Sequence, residues 1–193
     1  MHDGVSVTWI SVRETTSAGL PPTYYPARVA KALATQPDLV YVSTYFPEGV
    51  AIARALTTAG AAPPCLMGLA NVDNGFLAKT TIAEASRCVF SGVPAATEMP
   101  SARTYVRQYR TKFGKVPGVW GSFTYDSANI LFAAINRARS DSFGSVEREL
   151  RATTRYRGAT GTITIDPMTG YRTTVPVSIL RVGHRKTFVI ASR

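Results

Sequence analysis

Residues 37–60, PDLVYVSTYFPEGVAIARALTTAG, constrain the fold more than any other stretch of this chain. Residues 39–43 form a continuous apolar run of strand length, and helical spacing follows at once. A short strand with no polar alternation is the kind buried on both faces of a parallel sheet. The helix is expected over residues 48–59, with Val50, Ala53, Ala55, Leu56 and Ala59 on its buried side and Gly60 as its C′ stop. Parallel strands need a crossover of this kind, because a tight turn cannot join them. The turn between strand and helix carries Ser43, Thr44, Tyr45 and Phe46. Two readings are open: simple packing of a βα turn, or presentation of hydroxyl and aromatic groups to a small ligand at the strand's carboxyl end.

The alternation continues on both sides. VSVTWISV, residues 5–12, alternates apolar and polar residues and is rich in β-branched types, so a strand is expected. TTSAGLPPT is a loop, and Tyr25, Val29 and Leu33 then mark a helix that Pro37 ends. PPCLMG is the next strand, stopped by Gly68; LANVDNG is a polar loop before a short helix at about residues 75–85; RCVFSGV is a further strand. The order over residues 5–93 is βαβαβαβ, which implies a parallel sheet with right-handed crossovers. PAATEMP, with two prolines, marks a segment boundary at about residue 95.

Helices are expected over residues 101–113 and 123–138, the second with Ala128, Leu131, Phe132, Ile135 and Ala138 on one apolar stripe. Ser145 is the expected N-cap of a helix reaching about residue 153, with Glu147 and Glu149 in its first turn. GATGTITIDPMTGYRTTVPVSILRV alternates over two strands around the turn DPMTGY, and TFVIAS alternates once more, so an antiparallel element closes the α/β chain.

A chain of 193 residues suits one or two globular domains. Its formal charge of +10 invites a nucleic-acid reading. The basic residues are scattered, however, and the densest group, Arg103, Arg107, Arg110, Lys112 and Lys115, is spaced as the solvated face of a helix. No zinc-finger spacing or RNP-like aromatic run accompanies it, so no nucleic-acid partner is expected. Cys65 and Cys88 lie in strand-like runs, as buried free thiols by default or as a disulfide if the two strands are neighbours. No apolar run is long enough to span a bilayer, and the start, MHDGVSVTWISV, lacks the pattern of a signal peptide.

Catalytic constellations are not found. His2 is expected at a frayed terminus and His184 in the turn VGHRK, and two histidines do not make a histidine-rich metal site. GxSxG, SxxK and GxxxxGK[ST] are missing, and GATGT precedes a strand where a dinucleotide fingerprint would open a helix. Asp126 reads as a charge near a helix start, and Asp166 as the opening of an Asp-Pro turn. The expectation is a protein that is not an enzyme and uses neither cofactor nor metal.

The order of PDLVYVSTYFPEGVAIARALTTAG, the LMG strand, FTYDSANILFAAINRA and YRGATGTITIDPMTGYRTTVPVSILRV resembles the type I periplasmic binding proteins of the branched-chain amino acid transporter class. The likeness to these leucine/isoleucine/valine-binding proteins runs over nearly the whole chain. It implies an α/β fold of two lobes joined by a multi-strand hinge, with a parallel doubly wound sheet and antiparallel C-terminal strands. The lobes close on the ligand. It also implies the substrate-binding component of an ABC uptake transporter, an ABC permease as partner and a periplasmic or cell-surface location. The ligand would be a small amino-acid-like or amide molecule, bound without chemistry.

Tyr45 matches the position where relatives place an aromatic against the ligand, beside Ser43 and Thr44, with Phe46 lining the wall. Two departures matter. In relatives, an acidic residue after the next strand meets the ligand's ammonium group; here Ala70 stands there. Either Asn71 or Asp73 substitutes for it, or the ligand is not a standard α-amino acid, because a buried ammonium without a partner is costly. By this alignment the chain also starts well inside the family's sequence. Residues 1–94 plus 175–193 are then expected to form most of the second lobe, and residues 95–174 the returning part of the first. This incomplete two-lobe architecture would leave Ala128, Leu131, Phe132 and Ile135 in need of a partner surface, from another copy or a complementary lobe. The alternative functions are a ligand-sensing regulatory module of the same fold and a remnant that no longer binds ligand.

Overall fold

Strand and helix alternate along the first half of the chain in a computed structural model that describes residues 4–16, 19–60 and 63–191. The elements up to the middle of the chain are α1 (Tyr24–Leu33), β1 (Val40–Val42), α2 (Phe46–Thr58), β2 (Cys65–Met67), α3 (Asn74–Lys79), α4 (Ile82–Ala85) and β3 (Val89–Gly92). After them come α5 (Arg103–Phe113), α6 (Gly121–Ala138), α7 (Phe143–Arg151), β4 (Tyr156–Gly158), β5 (Gly161–Ile163), β6 (Ser178–Val182) and β7 (Phe188–Ile190). They form two units, Met1–Gly92 with Ile179–Arg193, and Val93–Ser178. His2 lies outside the described residues.

The first unit is built on a sheet in the order β1-β2-β3-β6-β7. β1–β2 and β2–β3 pair in parallel, Val40 opposite Cys65 and Leu66 opposite Val89, while β6–β7 is antiparallel with Leu180 opposite Ile190. α2 is the crossover between β1 and β2. Pro47 and Glu48 suit its first turn, and Gly60 beyond its end has φ +75°. Val50, Ile52, Ala53, Ala55 and Leu56 are its buried side. Phe76, Phe90 and Phe188 form the aromatic centre of the core, with successive edge-to-face ring pairs at 5.3 and 5.1 Å. Burying each such side chain contributes about 1.5–3 kcal/mol. Cys65 and Cys88, at the starts of neighbouring strands, form a disulfide, so the default of free thiols is corrected.

Other expectations for this unit change as well. Residues 5–12 form no strand, and Val5, Val7 and Trp9 are 78%, 61% and 86% exposed. Alternation records strand propensity, but a strand also needs a ladder, and this segment pairs with none among the described residues. β1 is one-sided rather than buried on both faces: Val42 is buried, while Leu39 and Tyr41 are exposed. Ala59 is exposed beyond the end of α2. The single helix expected at residues 75–85 is two, α3 and α4. Extended Thr80 divides them, and a capping box between Thr81 and Glu84 starts α4.

In the second unit, short 3-10 turns at Ala96–Glu98 and Pro100–Ala102 lead into α5. Ala96, Met99, Ala102, Tyr105, Val106 and Ala159 make its core cluster. α6 buries Ser122, Asp126, Ile130 and Ala134 at a four-residue spacing, and Asp126 bonds to the turn between β4 and β5. Leu131 and Phe132, on the stripe expected to be left without a partner surface, are exposed, and Ile135 is half-buried. α7 begins after Ser142, so Ser145 lies inside it rather than capping it, and Glu147 and Glu149 pair with Arg151 and Arg137 instead of standing in the first turn. The DPMTGY turn is flanked by one bridge, Ile165 opposite Arg172, and not by two full strands. Its alternating continuation joins the other sheet as β6. Among the described residues, no helix is long and apolar enough to cross a membrane.

Candidate functional site

β1 and β2 run in register and end side by side, the Gly68 N–H donating to the Val42 carbonyl at 2.9 Å. The two loops that follow are therefore neighbours. Asn71, completely buried in the second loop, donates from Nδ2 to the Thr44 carbonyl in the first at 2.8 Å. Its Oδ1 lies against Gly49, where an added Cβ would stand only 1.8 Å away. Glycine is required there by this close approach. Asn71 Oδ1 and the Thr44 hydroxyl are both buried and find no hydrogen-bond partner among the described residues.

Tyr45 is the N-cap of α2 in extended conformation, with its side chain 72% exposed. Ser43 is exposed beside it. Phe46 opens the helix and packs its ring edge against Gly75, with the Lys79 ammonium 5.8 Å from the ring centroid. Asp73 caps α3, its Oδ1 accepting from the Gly75 N–H at 2.6 Å. The fold thus brings Ser43, Thr44 and Asn71 together and sets Phe46 and Asp73 around Gly75. Asn71 spends its amide on the neighbouring loop, which makes it a positioning residue, and Asp73 has one oxygen committed to the helix cap.

A third loop, which the sequence shows as a loop without showing its place, is fastened beside the start of α2. Thr15 N–H donates at 2.7 Å to Glu48 Oε1, and the Arg13 carbonyl accepts from Tyr25 Oη at 2.7 Å. Glu48 is buried at the first turn of α2, so residues 13–16 are fastened where α1 and α2 begin. Burial, and then the charge of Glu48, push the Tyr25 phenol above its ordinary value. In the sequence Glu48 looks like an ordinary first-turn acid. Only an unusual PEG at a helix start signals more.

Asp126 is likewise more than a first-turn charge. It is the sixth residue of α6, buried, and accepts from Ala159 N–H, Thr160 N–H and Thr160 Oγ at 2.7, 2.7 and 2.6 Å. Asp166 holds its turn through the N–H groups of Met168 and Thr169, the latter mainly lowering its pKa. Among the described residues, no cluster of three or more His, Cys, Asp or Glu could hold a metal ion. The exposed Ser43, a phenol and a partly free carboxylate around a strand end can hold a small molecule by hydrogen bonds and ring contact.

A family model described as periplasmic binding protein matches residues 10–186. No match is found among curated proteins. The leucine binding protein LivK of Thermotoga maritima is 25% identical with a TM-score of 0.77, the match covering 87% of this chain and 47% of that one. The branched-chain amino acid transporter substrate binding protein LivJ of Streptococcus pneumoniae, solved with isoleucine, is 20% identical with a TM-score of 0.70, covering 90% and 50%. A solute binding protein of an ABC transporter from Rhodopseudomonas palustris, solved with 3,4-dihydroxybenzoic acid, is 18% identical with a TM-score of 0.66, covering 82% and 44%. The chain spans about half the length of these solved structures. The parallel α/β sheet with its antiparallel final strands and the match over residues 10–186 lead to one conclusion: the chain belongs to the periplasmic binding protein family.

Proposed function

We propose that this chain binds a small amino-acid-like or amide ligand as part of the substrate-binding component of an ABC uptake transporter. Ser43, Thr44, Tyr45 and Phe46 contact the ligand, Asn71 positions the first loop, and Asp73 offers its free oxygen to a donor group. The observation that carries this reading is Tyr45: a large ring left 72% exposed at the carboxyl end of β1, beside loops locked by the Asn71–Thr44 bond. Open α/β sheets take ligands at strand ends of this kind. The relatives solved with isoleucine and with 3,4-dihydroxybenzoic acid support a small polar or amphipathic ligand.

In this reading, residues 1–94 with 175–193 belong to one lobe and residues 95–174 to the returning part of the other. An ABC permease is the partner, and a complementary lobe or a second copy covers Leu131 and Phe132. An extracytoplasmic location suits the Cys65–Cys88 disulfide, since such bonds persist in oxidising compartments.

The test is a thermal-shift and calorimetric titration against leucine, isoleucine, glutamine, asparagine and benzoate. A ligand at 100 times its Kd adds about 2.7 kcal/mol to the native state. Tyr45→Ala should abolish that gain while leaving the ligand-free transition in place, and Tyr45→Phe should retain most of it. No response from any of the ligands, or equal loss of stability and binding in Tyr45→Ala, would remove the proposal.

A further inference from the structure

α5 buries Tyr105 and Val106 and turns its charge outward. Arg103, Arg107 and Arg110 recur at i, i+4 and i+7, along one face of the helix, and all three are exposed. Lys112 and Lys115 follow, exposed as well. No Asp or Glu occurs between Glu98 and Asp126, and Asp126 is buried with its oxygens committed to Ala159 and Thr160. Among the described residues none of the five cations is in a salt bridge, whereas Arg54, Arg137 and Arg151 on other helices each meet a glutamate. The arrangement works against the helix. Like charges three and four residues apart repel, and Arg103 is the first residue of α5, at the end where the macrodipole favours an anion. An anionic surface laid along this face relieves both.

The far end of the same stretch is apolar. Phe113, Val116 and Trp120, around the loop that joins α5 to α6, are 52%, 50% and 37% exposed. The Lys112 ammonium stands 5.5 Å from the Phe113 ring centroid, and Lys115 separates Phe113 from Val116 in the chain. Cations interleaved with an exposed phenyl, an isopropyl and an indole suit the boundary between lipid headgroups and acyl chains. Apolar groups enter there while lysine stems carry their charge back to the phosphates. A DNA duplex answers only the cations, since its phosphates give Val116 nothing to enter.

We propose that α5 and the loop after it dock on an anionic lipid bilayer, with Arg103, Arg107 and Arg110 against the phosphate headgroups and Phe113, Val116 and Trp120 entering the interface. This surface belongs to the second unit and does not use the loops around Tyr45.

The test floats the 193-residue chain with vesicles of phosphatidylcholine alone, or of an equimolar mixture with phosphatidylglycerol, at low salt. Binding to the mixed vesicles only is expected, and it should vanish in molar salt, where the Debye length falls to about 3 Å. Each cation at such a surface strengthens partitioning by about fivefold, so Arg103→Gln, Arg107→Gln and Arg110→Gln together should weaken it on the order of a hundredfold. Arg181→Gln, Arg185→Gln and Lys186→Gln remove as much charge from another part of the chain and should leave most of the binding in place. Trp9→Phe leaves Trp120 as the one tryptophan, and its emission should shift to the blue with mixed vesicles. Tyr45→Ala should change none of these results. Failure to bind the mixed vesicles, equal binding to phosphatidylcholine alone, equal loss in the two triple variants or an unshifted Trp120 emission would overturn the proposal. So would a short DNA duplex that holds the chain as tightly at the same phosphate concentration, which would mark a nucleic-acid surface instead.

Discussion

Gly49 gives the sharpest test of how the two site loops are held. It lies in the first turn of α2, where exchanging glycine for alanine ordinarily stabilises a helix by about 0.5–1 kcal/mol. Here the new Cβ would stand 1.8 Å from Asn71 Oδ1 and 2.8 Å from Asn71 Cγ. The tip of an exposed asparagine would simply turn aside, but Asn71 is 0% exposed and anchored to the Thr44 carbonyl. Overpacking of this kind costs about 1–3 kcal/mol, and losing the Asn71–Thr44 bond adds about 0.5–1.5 kcal/mol. After the helix gain, Gly49→Ala should be destabilising by about 2 kcal/mol, a fall in Tm of about 4–8 °C for a chain of this length. Thermal unfolding followed by circular dichroism reads the shift. Adding Asn71→Ala removes the obstructing atoms, so the double variant should be more stable than the sum of the singles by about 1 kcal/mol or more. A neutral or raised Tm in Gly49→Ala would mean that Asn71 does not wedge the loops, and the positioning argument would fall with it.

Asp126→Asn sets an amide against three donors, and unfolding in urea should show a loss of about 3 kcal/mol that Asp141→Asn, on an exposed residue, does not share. The Cys65–Cys88 bond closes a loop with a sequence separation of 23, so reduction or a paired Cys→Ser change should lower stability by about 3 kcal/mol; equal urea midpoints with and without reductant would contradict this. The Thr81 N–H, with help from Arg54, lowers the pKa of Glu84 in the folded chain. Its contribution is therefore complete above the ordinary glutamate value and lost as pH falls through the lower folded value, and Glu84→Gln should flatten the acid side of stability plotted against pH. Parallel curves for the two proteins would dismiss that role.

What the sequence made legible follows from where the forces are local. Residues 65–67 and 89–92 are short apolar runs between helical stretches, and they form adjacent parallel strands because alternation, turn residues and crossover length agree. The segment at residues 5–12 has strand composition and no strand, since propensity says nothing of whether a ladder is open to it. Cys65 and Cys88 meet one step before Leu66 and Val89 pair, a register that neither cysteine's own surroundings encode. Asp126 reads as a dipole partner because the sequence puts the start of α6 at residue 123, two residues beyond Gly121; its partners lie 33 and 34 residues away. The Thr44–Asn71 bond, across 27 residues, was invisible for the same reason.

The disulfide also gives the chain a second covalent route. A load applied between the termini passes from Cys65 to Cys88 through sulfur and never travels along α3, α4 or the loop bearing Asn71 and Asp73. The oxidised chain is shorter in contour by roughly 80 Å than the same chain reduced, at about 3.6 Å per residue. A backbone cut anywhere inside that closed ring leaves the two pieces tethered. One of the two joined loops is thus protected by topology, whereas the loop bearing Tyr45 stays in the direct line of tension.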